Sequence, residues 1–131
     1  MENTYRLKKD NSEIKIKVKV GTIGNASTIV SEKGAVGEIL KSKPEDNGNI
    51  NKRKLGVSGE LINTTIIADL AILLDGVPKN QLDQAFENLF VRVTLFGGAD
   101  GEQSFDIGPG EKLQFNDKKL IVAAKEIKMI P

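Results

Sequence analysis

The stretch Glu13-Ile14-Lys15-Ile16-Lys17-Val18-Lys19-Val20 constrains this chain more than any other. Ile14, Ile16, Val18 and Val20 fall on one side of an extended backbone, and Glu13, Lys15, Lys17 and Lys19 fall on the other. Strict alternation of this kind defines a strand with one face in a core and one face turned away from it. A strand with one apolar face is stable only inside a larger sheet. Three lysines on the polar face also discourage pairing with stray strands, so we read residues 13–20 as a guarded edge strand.

The rest of the chain repeats the theme in short pieces. Ala26 to Ser31 reads as a strand that ends in a turn at Glu32-Lys33-Gly34, and residues 35–40 fit a short strand or a helical turn. The nearly all-polar segment 41–52, with Pro44 and Gly48, reads as one long loop. Leu55, Val57, Gly59 and Leu61 alternate with Gly56, Ser58 and Glu60, which predicts a strand. Between Thr64 and Leu74 two patterns compete. Ile66, Ala68, Leu70, Ile72 and Leu74 fit a strand face, while Ile66, Ile67, Leu70, Leu73 and Leu74 fit a helical face nearly as well. The β-branched run Thr64-Thr65-Ile66-Ile67 tips the balance towards a strand.

Leu82, Ala85, Phe86 and Leu89 recur at helical spacing, which predicts one short helix over about 79–89. A strand from Phe90 to Phe96 follows. The glycine-rich Gly97–Gly101 turn leads it back into Gln103–Ile107, and Asn116-Asp117 joins Lys112–Phe115 to Lys119–Ala124 as a second hairpin. The expected fold class is therefore mainly β: an antiparallel β-sandwich or barrel of about seven to nine short strands. With 131 residues, 39% apolar and 28% charged, the chain suits a single β-rich domain over 1–131, interrupted by the long polar loop at about 41–52.

The chemistry is defined first by what is missing. The sequence has no His and no Cys. Histidine-based triads, cysteine nucleophiles and conventional zinc sites are thereby excluded. Ser12-Glu13-Ile14-Lys15 has the Ser-x-x-Lys spacing, but that spacing joins the two side chains only on a helix. Gly108-Pro109-Gly110-Glu111-Lys112 matches no phosphate loop, and Pro109 lacks the backbone donor such a loop uses. We expect no enzyme and no cofactor. Oxygen ligands alone suffice for calcium, and Asp100, Glu102 and Asp106 lie together around the 97–106 hairpin. The same residue types also serve turns for purely conformational reasons.

Net charge is only +1, which argues against a general nucleic-acid binder. The charge is segregated, however. Residues 1–20 sum to +3 and residues 69–106 to −5. The expected function is a structural or protein-interaction module that assembles with itself or with another chain. Lys15, Lys17 and Lys19 are its basic contact residues, and Asp100, Glu102 and Asp106 its acidic ones. The alternative is a β-module that binds a small ligand, a carbohydrate or calcium. The lysine stripe lacks aromatic neighbours in sequence, so no single-strand nucleic-acid platform is expected, and neither is a membrane partner. Without an apolar leader at the N-terminus the expected location is the cytoplasm, although leaderless export leaves the same sequence.

Overall fold

The computed structural model describes residues 3–131 as two β-sheets packed face to face and not closed into a barrel. Ten strands occur among the described residues: β1 (Thr4–Arg6), β2 (Glu13–Gly21), β3 (Asn25–Glu32), β4 (Leu40–Lys41), β5 (Ile50–Val57), β6 (Thr65–Leu73), β7 (Phe90–Gly98), β8 (Gly101–Asp106), β9 (Lys112–Phe115) and β10 (Leu120–Ile130). One sheet has the order β1-β10-β6-β3-β4, with β9 also paired to β10; the other has the order β5-β2-β7-β8. All pairings are antiparallel except that of β1 with β10. Of the two architectures expected, sandwich and barrel, the structure is the sandwich, with ten strands among the described residues in place of seven to nine.

The core forms where the alternating positions of the two sheets meet. From the four-stranded sheet come Ile14, Ile16 and Val18 of β2 and Val91, Val93 and Leu95 of β7. From the six-stranded sheet come Ile66, Leu70 and Ile72 of β6 and Ile121, Ile127 and Met129 of β10. The strand face expected for 64–74 is thus the buried one, and helix is excluded there by full pairing to β3 and β10. The short helix α1 (Leu82–Glu87), entered through a 3-10 turn at Lys79–Gln81, closes one end of the core with Leu82 and Ala85, while Phe86 is half-buried.

Three expectations change. The lysine-bearing strand β2 is not an edge strand: it lies between β5 and β7 and pairs with both. The edges of this sheet are β5 and β8 instead. The segment 55–61 is not one strand, because β5 ends at Val57 and a single helical turn spans Ser58–Leu61. That turn is held by Ser58 N–H donating to the carbonyl of Ser12 at 2.8 Å and Gly59 N–H donating to that of Asp10 at 3.0 Å. The long polar loop is shorter than 41–52, since Lys41 belongs to β4 and Ile50 to Lys52 belong to β5. What remains is pinned. Asn47 accepts the Ala26 N–H at 2.7 Å, Asn49 accepts the Val20 N–H at 2.9 Å, and Thr28 Oγ1 donates to the Gly48 carbonyl at 2.7 Å.

Candidate interaction surfaces

Since side chains alternate along a strand, the polar side of β2 lies on the outer face of the four-stranded sheet. Lys15 pairs with Lys54 on one side and Phe96 on the other, and Lys19 pairs with Arg92. Lys52 reaches the same face and sits 4.2 Å from the centre of the Phe96 ring. Six cations therefore share one face, and among the described residues only Lys15 and Arg92 of these make an ion pair. Such a face attracts anions and repels its own kind. Aromatic neighbours are present after all: Phe96 lies beside Lys15, and Arg92 covers Phe90 at 5.1 Å. Pairing between strands distant in sequence supplies them.

The acidic residues lie on the far edge of the same sheet. Asp106 accepts from Arg92 Nε at 2.7 Å and from Arg92 Nη2 at 3.1 Å, which holds its carboxyl below the usual aspartate range. Asp100 accepts from Arg6 at 2.6 Å. Glu102 makes no ion pair among the described residues. Asp100 and Asp106 are thus directed to separate partners, and no group of three acidic side chains able to hold a metal ion occurs among the described residues. Lysine stripe and acidic edge share one sheet but do not touch each other, except through Arg92, which lies between Lys19 and Asp106.

A second surface has no counterpart in the sequence reading. Among the described residues eight large apolar side chains are exposed, and five of them (Ile29, Leu73, Leu113, Phe115 and Val122) lie on the outer face of the six-stranded sheet. Pairing makes four of the five contiguous. Phe115 lies opposite Leu120, which lies opposite Leu73; Leu113 lies opposite Val122, which lies opposite Ala71. Leu113 is 61% exposed and Phe115 47% exposed. Asp69 stands at the border of the patch, between Ile29 and Ala124. Burial, and then the charge of Glu126, push its carboxyl up from the usual range.

A surface groove of about 580 Å³ is open and lined in part by charged side chains that include Asp75, Lys79, Asp83 and Lys118. Lys118 and Asp83 close an ion pair within it at 2.8 Å. Val77 and Leu82 supply the apolar part of its wall. Among the described residues, no helix is long and apolar enough to cross a membrane. No protein-family model, curated protein or solved structure matches the chain.

Proposed function

We propose that the protein is a non-enzymatic structural subunit that assembles with further copies of itself. The observation that carries this reading is the apolar outer face of the six-stranded sheet. Exposed apolar side chains scattered singly are ordinary, whereas a contiguous group on a flat sheet face marks a surface that another protein covers. Phe115, Leu113, Leu73 and Val122 form such a group. A second copy offers the same face, so the simplest cover is a self-complementary sheet-on-sheet contact. The absence of His and Cys removes the commonest catalytic side chains and agrees with a binding rather than a catalytic role.

The test is light scattering on wild-type protein and on the double variant Leu113→Lys/Phe115→Lys, with circular dichroism to verify folding. Both side chains are exposed, so the substitutions leave the core intact. The expected result is a wild-type mass that grows with concentration and a variant that stays monomeric. Equal masses for the two proteins would remove the apolar face from the account.

A further inference from the structure

The four-stranded sheet ends in two open edges of opposite charge. On one edge, β5 presents Lys52, Arg53 and Lys54 in succession, all exposed. None of the three makes an ion pair among the described residues. On the other edge, β8 and its turn carry Asp100 and Asp106, held by Arg6 and Arg92, and Glu102, which makes no ion pair among the described residues. Each edge strand pairs on one side only, which leaves a row of backbone donors and acceptors open on the other. Like-charged edges repel, so β5 against β5 and β8 against β8 are disfavoured. The one combination in which the charges attract is β5 against β8 of another copy.

Strand direction permits that combination. Each neighbour in the order β5-β2-β7-β8 is antiparallel to the last, so β5 and β8 run in opposite directions. A second copy in the same orientation, placed beside the first, therefore sets its β5 antiparallel to β8 and continues the sheet. The rows across the sheet also fix the register. Arg53, Ile16, Leu95 and Gln103 form one row, and Ile50, Val18, Val93 and Phe105 form another. At equal height, Gln103 of one copy meets Arg53 of the next, and Phe105 meets Ile50 beyond the extra residue that β5 carries between Arg53 and Ile50. One residue along, Glu102 meets Lys54. Lys54 shares the outer face with Lys15, its pairing partner, and alternation from Gln103 puts Glu102 on that same face.

We infer that copies of this chain join head to tail by adding β8 of one to β5 of the next, with Glu102 of the first facing Lys54 of the second. This rests on the self-assembly reading and specifies a second contact for it. Because the two surfaces differ, the contact is heterologous and propagates into a row or closes into a ring. Backbone hydrogen bonds supply the attraction, and the facing charges select partner and register.

The experiment is a charge swap read by light scattering and sedimentation at low salt. Glu102→Lys and Lys54→Glu alone each put like charges opposite one another, and each is expected to weaken association by about tenfold. The double variant Glu102→Lys/Lys54→Glu restores an attractive pair with reversed sense and is expected to regain wild-type association. Single variants that associate as wild type does, beside a Leu113→Lys/Phe115→Lys variant that dissociates, would overturn the edge contact and leave the apolar-face reading standing. A wild type that is monomeric at every concentration would overturn both. A monomer that binds a single-stranded oligonucleotide through the lysine face would replace the second copy with a polyanion and likewise overturn the inference.

Discussion

The Tyr5 hydroxyl accepts the Gly98 amide hydrogen at 2.8 Å and donates to the Gly101 carbonyl at 2.6 Å, so a strand of one sheet ties both ends of a hairpin in the other. Tyr5 is fully buried in β1, and desolvation pushes its phenol above the ordinary tyrosine range. The folded state therefore holds this proton to higher pH than the unfolded chain does. Its contribution to stability is present below the ordinary tyrosine range and is lost as pH rises through the folded value. Tyr5→Phe removes both hydrogen bonds and is expected to cost about 1–3 kcal/mol near neutral pH, because two backbone groups lose their partner. Tyr5 is the only tyrosine in a chain without tryptophan, so tyrosinate absorbance follows it alone. The expected titration lies above that of the unfolded protein.

Gly98 is required at its position by space. A Cβ there would stand 2.6 Å from the Tyr5 ring and 2.5 Å from the Arg6 carbonyl oxygen. Gly98→Ala is expected to destabilise by at least about 1–3 kcal/mol through overpacking and to loosen the hairpin from β1. Denaturant unfolding gives the first quantity. Hydrogen exchange at the Ala99 amide, which donates to the Arg6 carbonyl at 2.9 Å, gives the second.

Lys125 points inward from β10, is 5% exposed, and donates to both carboxylate oxygens of Glu111, at 2.9 and 3.2 Å. Glu111 Oε1 also accepts the Gly108 N–H at 2.7 Å, so the pair closes the 3-10 turn that carries the chain from one sheet to the other. Lys125→Ala is expected to cost about 3–5 kcal/mol, since it leaves a partly buried carboxylate without its cation. Lys125→Met combined with Glu111→Leu is expected to cost less than the single change. Chemical denaturation of the three proteins decides the point.

Asp69 gives the account a pH dependence of known sign. Its raised carboxyl is protonated in the folded state at pH values where the unfolded chain is already ionised. Stability from this group is full below the ordinary aspartate range and declines as pH rises through the folded value. Asp69→Asn is expected to be more stable than wild type at neutral pH, with the difference shrinking as the pH is lowered through the carboxylate range. Thermal unfolding of both proteins across that range measures it.

Much of the fold is legible because alternation with period two survives in single segments. The β2 stripe, the β7–β8 hairpin and the Asn116-Asp117 turn, where both residues take positive φ, follow from residues close in sequence. Strand neighbours do not. Nothing local shows that β2 lies between β5 and β7, and three lysines on a strand suit an interior strand whose outer face is open as well as they suit an edge. The Arg6–Asp100 pair spans 94 positions. The strands β1 and β4, of three and two residues, are too short to display a period. The apolar outer face did leave a trace. Residues 64–74 fit strand and helix nearly equally because Ile67, Ala71 and Leu73 are apolar on the side an ordinary surface strand keeps polar. That ambiguity was a sign of a strand with two faces to cover.

Sedimentation velocity of the wild-type protein over a wide dilution series tests the central claim most directly. The expected result is a weight-average sedimentation coefficient that rises steadily with concentration and falls back on dilution, as reversible self-association requires. One boundary at the monomer value at every concentration would contradict the account.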